Sequence, residues 1–84
     1  MEGITPGRIV HFFDPKLDGP RAAMIVRAWG DHGTANLTVF PDWKNDTATL
    51  GGEGSVWKTS VQHKSQAPEG ASYWDWPARN GATV

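Results

Sequence analysis

There is no cysteine anywhere in the 84 residues of this sequence. That excludes a disulfide framework and a thiolate zinc site as the means of holding so short a chain together. Blocks of like charge are missing too, since eight Lys and Arg stand against nine Asp and Glu for a net charge of −1. Coating duplex nucleic acid requires neutralising many phosphates, so no duplex nucleic-acid partner is expected. No apolar run approaches the ~18 residues of a membrane span. The opening segment Met1-Glu2-Gly3-Ile4-Thr5-Pro6 has no basic stretch leading into an apolar one. The expectation is a protein with no membrane partner, located in the cytoplasm of the cell that makes it.

Catalytic signatures are equally scarce. His11, His32 and His63 form neither an H-x-H nor an H-x-x-x-H pair, so no metal site is expected. There is no G-x-S-x-G elbow, and Gly51-Gly52-Glu53-Gly54 is not followed by the Lys-Ser/Thr of a phosphate loop. The acidic residues fall in expected loops, turns or termini except Asp75, which is placed at a solvated edge, so no carboxylate pair faces another across a cleft. The chain is therefore expected to be no enzyme and to need no cofactor.

What the sequence does have is aromatic side chains: three Phe, one Tyr and five Trp. Trp29, Trp43, Trp57, Trp74 and Trp76 cannot all be central in one small core, so some are expected at a surface, where a flat ring with an N–H suits binding. With 38% hydrophobic residues, one core is within reach but an enclosed active-site cavity is not. A ligand site is expected in a surface groove or between subunits.

Short segments rich in β-branched and aromatic residues, separated by Gly, Pro, Asn and Asp clusters, predict strands at 8–13, 21–29, 34–40, 55–63 and 72–76. The continuous apolar run Ala22 to Val26 reads as a strand buried on both faces. Gly30-Asp31-His32-Gly33 supplies a tight hairpin. In the third strand Ala35, Leu37 and Val39 alternate with the more polar face of Asn36, Thr38 and Phe40. In the fourth, Trp57, Thr59 and Val61 are assigned to one face and Val56, Lys58 and Ser60 to the other. Asp42 to Gly54 is expected as a long polar loop of functional or mobile character. The fold class is all-β, a single domain over 1–84 with 77–84 a frayed tail. A five-stranded SH3-like barrel is the first choice and an OB-like barrel the runner-up, disfavoured by the lack of a clear helix between the third and fourth strands.

Arg27 and Trp29 share a face by their spacing of two, and Trp57-Lys58-Thr59-Ser60 groups an indole, a cation and two hydroxyls. Indole stacks nucleobases and Arg, Thr and Ser donate to phosphate, which makes a nucleotide a chemically reasonable ligand. Trp74 and Trp76 also share a face by spacing. They either form an apolar interface for self-association or a peptide partner, or close the barrel.

The segments Gly7-Arg8-Ile9-Val10-His11-Phe12, Ala23-Met24-Ile25-Val26-Arg27-Ala28-Trp29, Ala35-Asn36-Leu37-Thr38-Val39-Phe40 and Val56-Trp57-Lys58-Thr59-Ser60-Val61 together resemble a family of small proteins common in tailed-phage and prophage genomes. Small phage proteins of this kind include anti-defence sponges that sequester the cyclic nucleotide signals of bacterial immune systems such as CBASS. The resemblance implies a viral accessory protein acting in the cytoplasm of an infected host. The expected function is non-enzymatic binding of a cyclic oligonucleotide by a homo-oligomer. Two of the rings Trp29 and Trp57 would flank the bases, with Arg27, Thr59 and Ser60 near phosphate and Asn36 or His11 at a base edge. The alternative is a protein-interaction module using Trp74 and Trp76.

Overall fold

Alternation of apolar side chains builds the first three strands, and their inward faces supply most of the core. β1 (Ile9–Phe13) buries Val10 and Phe12, β2 (Arg21–Trp29) buries Ala23 and Ile25, and β3 (Thr34–Val39) buries Ala35, Leu37 and Val39. The structure is a computed structural model that describes residues 3–52 and 54–77. Beyond β3 come α1 (Trp43–Leu50), β4 (Val56–Val61) and β5 (Tyr73–Asp75). The five strands expected from the sequence are all present, each within two residues of its expected ends. Apart from Pro77, the tail expected at 77–84 lies outside the described residues.

The strands form one antiparallel sheet in the order β4-β3-β2-β1-β5. The sheet curls until the segment after β4 meets β5, where His63 and Trp74 form a single bridge and Trp74 N donates to the Gln62 carbonyl at 3.1 Å. Four strands paired consecutively, with the fifth returning beside the first, is the order of a small SH3-like barrel. An OB-like barrel has a Greek-key order that does not put β4 next to β3.

A helix does lie between β3 and β4, where a loop was expected. Its sequence, WKNDTATL, has poor helix formers and little apolar periodicity. Tertiary contacts hold it instead. Leu50 enters the core at 5% exposure, and Asp46, one turn earlier on the same side, is buried at 2%. Asp46 accepts from the Asp42 backbone N–H and takes the Arg21 guanidinium, with Nη2 donating at 2.9 Å. Gly51, at φ 84°, ends the helix in the left-handed conformation and donates to the Thr47 carbonyl. An acidic residue thus sits inside an element and is buried, contrary to the expectation that apart from Asp75 all such residues lie in loops.

Two further expectations are corrected. β2 is buried on one face only: Ala22 and Val26 are exposed. Trp74 offers no interface, because its ring is 0% exposed at the centre of the core, with Nε1 donating to the Gly33 carbonyl at 2.7 Å. Trp76 packs edge-on against it with centroids 5.0 Å apart and lies under Arg8. Of the two roles open to this pair, Trp74 takes that of closing the barrel.

Candidate functional site

The outer face of β2, β3 and β4 is organised around Asn36, and the cause is a pair of irregularities flanking it. Ile25 faces Leu37 while Arg27 faces Asn36, so Val26 is an extra residue bulged out of β2. Leu37 faces Lys58 while Ala35 faces Val61, so Thr59 and Ser60 together oppose Asn36. Ser60 accommodates this with φ at 56°, a left-handed conformation in which a side chain is strained. The bulges turn Arg27, Trp29, Thr59 and Ser60 toward one point.

That point is the Asn36 carboxamide, 6% exposed. Its Oδ1 accepts from Trp29 Nε1 at 2.8 Å, from Thr59 Oγ1 at 2.9 Å and from the Ser60 backbone N–H at 2.9 Å. The Trp29 ring is fixed by this bond yet 43% exposed. Arg27 lies over it, with Cζ 3.9 Å from the ring centroid, in a cation–π contact. Among the described residues Arg27 has no carboxylate partner. The arrangement offers a fixed aromatic ring, an unneutralised guanidinium and two hydroxyls, which is the equipment for stacking a planar group and holding an anion.

Five of the expected binding residues, Arg27, Trp29, Asn36, Thr59 and Ser60, are therefore brought together. The expected split of Thr59 and Ser60 onto opposite faces fails because the bulge at Ser60 breaks the two-residue alternation. Asn36 lies on the more polar face of β3 as expected, but Trp29, Thr59 and Ser60 cover it. Trp57 is 55% exposed and pairs with Thr38, two residues along β3 from Asn36 and on the same outer face, so it flanks the cluster about 7 Å further on. His11 does not join. It lies on β1 and pairs with Ala22 of β2, five residues from Arg27, and its neighbours are Phe13 and Asp75.

A second polar group lies at the seam. His63 Nε2 donates to Asp75 Oδ1 at 3.1 Å, while its Nδ1 accepts from the Ser65 backbone N–H at 3.1 Å and lies 2.9 Å from Ser65 Oγ. The imidazole packs edge-on against Trp74, and its side chain is only 13% exposed. Asp75, expected at a solvated edge, is with His63 part of the seam. Although hydroxyl, imidazole and carboxylate are in series, the single Nδ1 lone pair is already shared with a backbone N–H. The trio thus clasps β5 to the chain after β4 rather than freeing a base for catalysis.

The β1–β2 loop and the segment before β5 enclose an open groove of about 330 Å³ lined by Phe13, Leu17, Ala71 and Tyr73. Phe13 and Tyr73 stack there with centroids 4.7 Å apart. No sequence pattern marked this groove, since its two walls are some sixty residues apart in the chain. Beside it, Arg21 joins the loop to the helix by pairing with Asp18 and Asp46. The hydrogen bond from Arg21, then that from the Asp42 N–H, hold the Asp46 carboxyl below its ordinary pKa against the opposing effect of burial. The same pairing raises the Arg21 pKa.

Among the described residues no group of three His, Cys, Asp or Glu side chains is placed to hold a metal, and no helix is long and apolar enough to cross a membrane. Compared with family models, curated proteins and solved structures, the chain matches none.

Proposed function

We propose that this protein is a non-enzymatic binder that captures a cyclic oligonucleotide on the outer face of β2, β3 and β4. The observation that carries the proposal is the Arg27 guanidinium, without a carboxylate partner among the described residues, held over the exposed, hydrogen-bonded Trp29 ring beside the hydroxyls of Thr59 and Ser60. Base stacking on indole contributes roughly 1 to 3 kcal/mol per base, and a guanidinium free of carboxylates is available to phosphate. The outer face of a curled sheet is convex, so one copy cannot enclose such a ligand. A homo-oligomer presenting two of these faces would, and the exposed Ile9, Val26 and Trp57 supply apolar area for the contact. The biological role we propose with it, a tailed-phage accessory protein that sequesters a host immune signal in the infected cell, rests on the resemblance of the strand segments alone.

Isothermal titration against a panel of cyclic di- and trinucleotides tests this. Binding tighter than about 100 μM by at least one member is expected. No binding to any member removes the proposal.

A second reading is peptide recognition. The groove with the stacked Phe13 and Tyr73 rings favours it, because aromatic-lined grooves accept extended proline-rich segments. Loss of peptide binding in Tyr73→Ala with nucleotide binding absent throughout would select this alternative.

A further inference from the structure

The Asn36 side chain cannot rotate to present its other end. Trp29 Nε1 and the Ser60 backbone N–H are donors only, and both point at the same amide atom, so that atom has to be the carbonyl oxygen. With Thr59 Oγ1 also donating to it, the oxygen is saturated. The amino group, Nδ2, has no partner among the described residues. No buried side-chain nitrogen or oxygen is left without a partner either, so Nδ2 reaches solvent although Asn36 as a whole is only 6% exposed. A nearly buried, rotationally locked carboxamide therefore shows the outside a donor and nothing else, next to the Trp29 ring and the Arg27 guanidinium.

We infer that Asn36 is the residue that selects the base, admitting a ring that carries a carbonyl at its exposed edge, as guanine and hypoxanthine do at position 6. This deepens the proposed capture of a cyclic oligonucleotide and rests on it. Adenine has an amino group at the same position, and setting it against Nδ2 places donor against donor with no water to separate them. A site built on fixed hydrogen-bonding groups rejects the mismatched ligand because the buried group is then left unpaired. The opposite choice, a freely turning Asn or Gln, would accept either edge.

The experiment compares cyclic di-GMP, cyclic di-IMP and cyclic di-AMP by titration calorimetry, on the native chain and on Asn36→Asp. Aspartate retains an oxygen for Trp29, Thr59 and Ser60 but puts an acceptor where Nδ2 was, and far-UV circular dichroism shows whether its fold is kept. On the native chain the two carbonyl-bearing ligands are expected to bind about tenfold or more tightly than cyclic di-AMP. In Asn36→Asp that preference is expected to vanish or invert. Equal affinities or a preference for cyclic di-AMP in the native chain overturn the inference without a variant and leave the capture of cyclic nucleotides standing. The native preference persisting in a folded Asn36→Asp also overturns it. Binding of none of the three, nor of any other cyclic nucleotide, removes the proposed function and this inference with it.

Discussion

Trp74 and Trp29 are the same residue used in opposite ways. Both have their indole N–H satisfied inside the molecule, Trp74 by the Gly33 carbonyl and Trp29 by Asn36 Oδ1. The Trp74 ring is 0% exposed and contacts His63 and Trp76, whereas the Trp29 ring is 43% exposed and is covered by a single cation. At the seam the hydrogen bond completes a ring whose burial stabilises the fold. On the outer face the bond fixes the orientation of a ring whose surface is left open. Rigidity without burial suits recognition, because the ligand does not have to order the side chain it stacks on.

The harshest test of this contrast is Trp74→Ala. It removes the largest buried side chain at the point where β5 meets the chain after β4, and a loss of about 3 to 5 kcal/mol is expected. For a domain of this size that approaches the whole stability, so urea melts should show a largely unfolded population in buffer. A fold that survives unchanged would mean the seam contributes little.

Acid should next weaken the Arg21–Asp46 link between the β1–β2 loop and α1. The carboxyl of Asp46 titrates below its ordinary value of 3.8 in the folded protein. Its contribution is therefore fully present above that value and is lost as pH falls through the lower folded pKa. Thermal melts from pH 7 to pH 2 should show Asp46→Asn less stable than the native chain at neutral pH, with the two curves converging below about pH 4. A constant gap across the range would break the assignment.

Trp29→Ala should be milder for stability and severe for binding. One hydrogen bond to Asn36 is lost while Thr59 and Ser60 keep theirs, a cost of about 1 kcal/mol by chemical denaturation. Nucleotide binding by the same protein should disappear in calorimetry. The smallest effect belongs to Ser60→Gly, which relieves the left-handed backbone at φ 56° and should stabilise the fold by up to about 1 kcal/mol. The bulge should be retained, since glycine keeps the backbone N–H that reaches Asn36, while loss of the Ser60 hydroxyl should weaken nucleotide binding modestly in the same calorimetry.

Strand positions were legible in the sequence because alternation and turn residues act locally: Gly30 and Gly33, both at positive φ, mark the hairpin between β2 and β3 as expected. The helix at 43–50 was not legible, since its polar, Thr-rich composition argues for a loop and its stability comes from Arg21, twenty-five residues from Asp46. The stop at Gly51 after Leu50 was the one local signal that could have revealed it. The grouping of Arg27 with Trp29 followed from their spacing. Their meeting with Asn36, Thr59 and Ser60 depended on bulges in both neighbouring strands, which a strict two-residue period hides. Which indole would be buried could not be read locally either, because Trp74 becomes central only when the curled sheet brings β5 to the chain after β4.

The contrast between the two indoles can be read in one experiment. A ¹H–¹⁵N correlation spectrum resolves indole N–H signals, and it can be followed during addition of 3′,3′-cyclic GMP–AMP, which carries one carbonyl-bearing and one amino-bearing base. The Trp29 signal should shift in proportion to bound ligand, while that of Trp74 stays in place and is the slower of the two to exchange in D₂O. A Trp29 signal indifferent to every cyclic nucleotide, or a Trp74 signal that exchanges as fast as that of Trp29, would contradict the division between a ring that builds the barrel and a ring that binds.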